Sequence, residues 1–121
     1  MITKFDLYTE KLIMFKKYDF VMSDTTIYML LSDYNNAETK AIFIGTYDYE
    51  HFFLSSYFNT SLKTKYVFDK YMKLLPDDIF IEVMEKILSN DFYIEQMNQK
   101  IDFNTIIEKY NKKRKAKEFN L

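Results

Sequence analysis

The sequence predicts an α+β fold, a small antiparallel three-stranded sheet near the N-terminus packed against four to five helices that are mostly C-terminal. Two patterns carry this expectation. Short apolar runs separated by turn-prone residues fill positions 19–45, and from there to the C-terminus apolar residues recur every three or four positions. Length supplies a third constraint: at 121 residues a second core would leave each half too small to stabilise itself, and there is neither linker nor internal repeat. The chain therefore reads as one domain, 1–121.

Phe5, Tyr8, Leu12 and Phe15 lie at helical spacing behind a Thr3/Asp6 capping-box pattern, which predicts a helix from about 4 to 17. The continuous apolar run Leu12–Phe15 keeps a strand open as its competitor. Phe20–Met22, Ile27–Leu31 and Ala41–Ile44 read as three strands, divided by Ser23-Asp24-Thr25 and by Asn35-Asn36. Residues Tyr34–Thr39 would join the last two as a hairpin, and Gly45, the only glycine, punctuates the end of the third. Ile27–Leu31 is apolar on both faces, which suits a central strand or one covered on its second face.

Helical periodicity follows. Tyr49, Phe52, Phe53 and Tyr57 form one face, ending at Asn59-Thr60-Ser61, and Val67, Tyr71 and Leu74 predict a second helix that must stop before Pro76. Pro76 opens the clearest helix, with Ile79, Phe80, Val83, Met84, Ile87 and Leu88 as its apolar stripe and Asp77 and Asp78 in the first turn, where the helix dipole favours acids. Phe92–Met97 reads as a short helix or turn. Phe103, Ile106, Ile107 and Tyr110 share one face of a last helix whose basic end, 109–121, is solvated.

Composition narrows the chemistry. With no cysteine, disulfides, thiolate metal sites and cysteine nucleophiles are excluded. No targeting segment and no apolar run of about 18 residues is present, so the expectation is a cytoplasmic, intracellular protein with no membrane partner. Lysine outnumbers arginine sixteen to one, and Asn, Ile, Tyr and Phe abound, a bias of AT-rich coding that points to a virus, a phage or another mobile element.

His51 is the only histidine, with Asp48, Ser55 and Ser56 near it in sequence. No nucleophile elbow surrounds it and the glycines of an oxyanion loop are missing, so no catalytic residue is assigned and the chain is not read as an enzyme. Asp78, Glu82 and Glu85 share a helical face, but that is the solvated face opposite the apolar stripe; no metal site and no cofactor follow. Phosphate-cradling glycine loops are absent.

What remains is recognition. Twelve Phe and eleven Tyr exceed what a core of this size encloses, so some rings reach the surface, where tyrosine favours interfaces. The leading expectation is a non-catalytic domain that binds a host or cognate protein as an inhibitor or adaptor, through Tyr47, Tyr49, His51 and Phe52 after the sheet and through Tyr34, Asn35 and Asn36 on the hairpin. The two-faced strand and spare aromatics would also suit a homodimer.

Charge supplies a second expectation. Lys109, Lys112, Lys113, Arg114, Lys115 and Lys117 follow one another with no acid between; removing these six from seventeen basic residues leaves eleven against eighteen acids, so a +6 segment joins a −7 body. Such a helix end can neutralise nucleic-acid phosphates, dock on the acidic body or keep the terminus soluble. A third comes from likeness. Leu75, Pro76, Asp77, Asp78 and Ile79, then Val83, Ile87, Leu88, Asp91 and Phe92, resemble the opening of an F-box. The resemblance spans 75–92, lacks the family's downstream pattern, and implies an adaptor that meets a ubiquitin-ligase subunit through helix 76–89.

Overall fold

The computed structural model describes residues 15–48 and 50–119. The helix expected over 4–17 lies outside them except for Phe15–Lys17, which are not helical. Two compact units divide the chain between Leu75 and Pro76.

The N-terminal unit is built on an antiparallel sheet of β1 (Phe20–Ser23), β2 (Thr26–Leu30), β3 (Thr39–Tyr47), β4 (Phe52–Lys63) and β5 (Met72–Leu74), with a short helix α1 (Lys65–Lys70) between the last two strands. Strand order is β4-β3-β2-β1-β5, so the first four strands meander and α1 carries the chain from one edge to the other. The apolar β2 is the central strand, with Ile27, Met29 and Leu30 all buried. Asp24, in the β1–β2 turn, takes a φ of 56°, the left-handed region that a short polar side chain tolerates.

The expected α+β class with an antiparallel sheet is what forms, but among the described residues the sheet has five strands where the sequence predicts three. Both additions fall where helical spacing had been read. The segment 52–63 pairs with β3 at 52–54 and 59–63, and at its start the environment alternates residue by residue, Phe52 being 4% and Phe53 56% exposed. Its aromatic, Ser and Thr content fits a half-buried pleated surface better than a helix. The stretch holding Val67, Tyr71 and Leu74 divides: α1 starts at Thr64, whose Oγ1 accepts from Val67 N at 3.4 Å, and stops after Lys70, while Met72–Leu74 pairs with Val21–Ser23. Pairing with an open strand edge thus ends a helix too short to sustain itself.

Gly45 does not end β3 but lies inside it, at the point where the register shifts against both neighbours. Phe43 faces Asn59 and Gly45 faces Leu54, so β4 accommodates Ser55–Phe58 opposite a single residue, Ile44. A Cβ at Gly45 would collide with the carbonyl oxygen of Phe53 and come within 2.8 Å of the Phe52 ring. Glycine is here because β4 crosses β3 too closely for a side chain.

One face of the sheet carries a cluster of Phe15, Val21, Leu30, Tyr34, Ala41, Phe68 and Met72. Helix α1 supplies Phe68 from its inner side, and burying that ring contributes about 2–3 kcal/mol. Phe68 stacks on Tyr34 at 4.2 Å between ring centres and meets Phe15 edge-on at 5.4 Å.

The C-terminal unit comprises α2 (Asp77–Leu88), α3 (Asp91–Asn98) and α4 (Phe103–Phe119). Pro76 precedes α2, and the first-turn acids Asp77 and Asp78 match the sequence reading. Phe80, Ile81, Val83, Met84 and Ile87 are buried along one side. Asn90 caps α3, its Oδ1 accepting from Tyr93 N at 3.0 Å. The basic segment stays helical through Phe119. Among the described residues no helix is long and apolar enough to cross a membrane.

Candidate functional site

The residues singled out after the sheet fall in the β3–β4 turn and serve it mainly through their main chain. Asp48 Oδ1 accepts from His51 N at 2.9 Å and from Glu50 N at 3.3 Å, and Asp48 N donates to His51 O at 3.2 Å. Those amides, His51's foremost, hold the Asp48 carboxyl below its ordinary value of 3.8. Asp48 and His51 are exposed, Tyr47 is half-buried and donates its N–H to Thr25 O at 2.8 Å, and Phe52 is in the core. Tyr49 lies outside the described residues. The turn thus brings His51 beside Asp48 but turns Phe52 inward.

The hairpin residues are divided as well. Tyr34 is 1% exposed, so its ring is a core residue and not a contact surface. Its hydroxyl lies 3.3 Å from both Asn36 Oδ1 and Asp69 Oδ1, which ties the β2–β3 loop to α1. Asn36 takes a φ of 65°, a conformation asparagine accepts readily, and Asn35 is exposed. This loop supports α1 from below.

The surface so supported was not singled out in the sequence. With Val67 and Phe68 turned to the core, α1 presents Lys65, Tyr66, Asp69 and Lys70 outward. Tyr66 is 57% and Tyr71 51% exposed, and Leu74 on β5 is also exposed. The two tyrosine rings stand edge-to-face at 6.0 Å, and Lys70 Nζ lies 5.1 Å from the centre of the Tyr66 ring. Lys65 pairs with Asp69 at 2.6 Å, one turn along. Beside Tyr71 a groove is lined by Met22, Asp24, Lys70, Tyr71 and Lys73. The only sequence signal for this surface is tyrosine next to lysine, repeated at 65–66 and 70–71.

On α4 the basic run is partly matched within its own unit. Lys113 pairs with Asp77, Lys117 with Asp78 at 3.4 Å, and Arg114 with Glu118 at 3.8 Å, while Arg114 also donates to the Tyr110 hydroxyl at 3.2 Å. Lys109 is half-buried; Lys112 and Lys115 are exposed. On α2, which holds the residues resembling an F-box, the apolar side is buried, and Asp77, Asp78, Glu85 and Lys86 are exposed. Among the described residues no three His, Cys, Asp or Glu side chains gather as a metal site would require. Compared with known protein families, curated proteins and solved structures, the chain matches none.

Proposed function

We propose that the chain is a non-catalytic protein-binding domain, of the kind a virus, phage or mobile element directs at a host protein, and that it engages its partner through Tyr66, Tyr71 and Leu74. The observation that carries this reading is the pair of half-exposed tyrosines held edge-to-face beside a groove. Tyrosine presents a large, rigid apolar area at low entropic cost and keeps its hydroxyl wet, which is why such rings anchor interfaces. Their shape is fixed before a partner arrives: Phe68 anchors α1 from inside, and Tyr34 and Asp69 tie it to the loop.

The test is affinity capture from host-cell lysate on the immobilised chain, with and without nuclease, set against Tyr66→Ala/Tyr71→Ala. A stoichiometric protein that survives nuclease and is lost with the double variant is the expected result. Capture unaffected by the double variant overturns this surface. Recovery that nuclease abolishes replaces the protein-binding reading with nucleic-acid binding through the basic end of α4.

A further inference from the structure

We infer that the edge of β5 that no described strand pairs with, and the groove beside it, take an acidic, extended segment of a partner polypeptide; this rests on the protein-binding reading above and names the chemistry of the partner. Four lysines, Lys63, Lys65, Lys70 and Lys73, fall within 63–74 against one acid, Asp69. Asp69 engages Lys65, and Lys63 Nζ lies 4.2 Å from the centre of the Tyr28 ring. Lys73 and Lys70, the latter also over the Tyr66 ring, line the groove, where Asp24 is the only acid among the described lining residues, so that lining carries one net positive charge. An anionic chain meets both lysines there and an apolar wall of Met22 and Tyr71.

The backbone offers the second half of the site. β5 pairs with β1 on one side, Leu74 with Val21, Lys73 with Met22 and Met72 with Ser23, and among the described residues no strand pairs with its other side. An open edge presents main-chain donors and acceptors to an added strand, whose alternate side chains fall on one face. Three residues of ladder are too few to hold a peptide alone, so the lysines and tyrosines beside the edge must supply the selectivity.

Ring geometry favours a polypeptide over single-stranded nucleic acid. Stacked bases need open ring faces, whereas Tyr66 and Tyr71 are inclined at 69° and Lys70 already covers one face of Tyr66. Acidic side chains need only reach the ammonium groups.

The test uses the purified full chain and three fluorescent probes: a peptide Glu-Val-Glu-Tyr-Glu-Val-Glu, its counterpart with lysine for glutamate, and an oligodeoxythymidine. The acidic peptide is expected to bind at least about tenfold tighter than the lysine peptide, and to lose about tenfold or more with Lys70→Glu/Lys73→Glu. Both lysines are exposed, so the reversal spares the core, which circular dichroism checks. Lys86→Glu/Lys115→Glu changes net charge equally in the other unit and is expected to leave binding unchanged. Equal binding of both peptides, a dissociation constant weaker than about 1 mM, or preferential binding of the oligonucleotide overturns the inference. If the acidic peptide fails while Tyr66→Ala/Tyr71→Ala still abolishes capture from lysate, the acidic-segment chemistry is wrong and the protein-binding reading stands. If capture ignores that double variant, it is the broader reading that falls.

Discussion

Replacing Gly45 by alanine tests whether the close crossing of β3 and β4 shapes the sheet. The added methyl group meets the main-chain oxygen of Phe53 and, at 2.8 Å, the ring of Phe52. The ring can swing, but the carbonyl belongs to the paired strand, so relief requires β3 and β4 to separate where Gly45 faces Leu54 and Thr46 faces Phe53. Overpacking of this kind costs about 1–3 kcal/mol, and a main-chain obstacle belongs at the upper end. Alanine recovers part of this by lowering the entropy of the unfolded chain, about 0.4–1 kcal/mol, because Gly45 has no positive φ. The net expectation is a loss of about 2 kcal/mol, read as a lower midpoint in urea denaturation at unchanged slope. Thr46→Ala, at the exposed neighbour, is the control and should stay within about 0.5 kcal/mol. A Gly45→Ala protein as stable as that control would refute the steric account of the register shift.

Three further outcomes follow from the packing and the two shifted groups. Phe68→Ala removes the ring against which Tyr34 and Phe15 pack and should cost about 3–5 kcal/mol in the same denaturation assay, whereas Tyr66→Ala, two residues earlier on the exposed side of the helix, should cost under about 1 kcal/mol. Burial pushes the Tyr93 phenol well above its ordinary 10.0; the unfolded chain then releases that proton before the folded one, so stability falls as pH rises past 10. Between pH 10 and 11 the wild type should lose about 1 kcal/mol more than Tyr93→Phe, measured by parallel urea titrations. The His51 and Glu50 amide resonances should shift together on acidification, with a midpoint below 3.8, and Asp48→Asn should abolish the shared transition.

Local chemistry made some elements legible and left others hidden. The runs at Phe20–Met22, Ile27–Leu31 and Ala41–Ile44 coincide with strands β1 to β3 because each is apolar, β-prone and bounded by turn residues. The helix after Pro76 is equally plain, since its start signal, first-turn acids and apolar stripe agree. By contrast, β4 and β5 exist through pairing. Tyr49, Phe52 and Phe53 satisfy a helical spacing, yet Phe52 and Phe53 point to opposite faces once β3 offers its edge. Tyr71 fits an apolar stripe with Val67 and Leu74 only while the helix continues; ending it at Lys70 turns the ring outward. Tyr34 enters the core for the converse reason, because Phe15 and Phe68, distant in the chain, pack on its ring. The proposed interaction surface is therefore legible only once the boundary between α1 and β5 is known.

The basic end of α4 separates charge from availability. Its six cations are evident in the sequence, but at least three have acids within their own unit, and two of these acids, Asp77 and Asp78, sit at the start of α2. Those acids are already favoured there by the helix dipole, so each ion pair satisfies a charge placed for another reason. All three pairs are solvent-exposed and worth at most about 1 kcal/mol apiece, so they bias the helix end without locking it. Around α1 and β5 the lysines are fewer, but Lys70 and Lys73 flank an apolar wall and an open strand edge. A charge beside buried or buryable apolar surface acts at lower effective dielectric than one on a solvated helix, and there it selects a partner more sharply. By that measure two lysines in a groove can outweigh six along a helix, which is why the proposed recognition is assigned to the smaller patch.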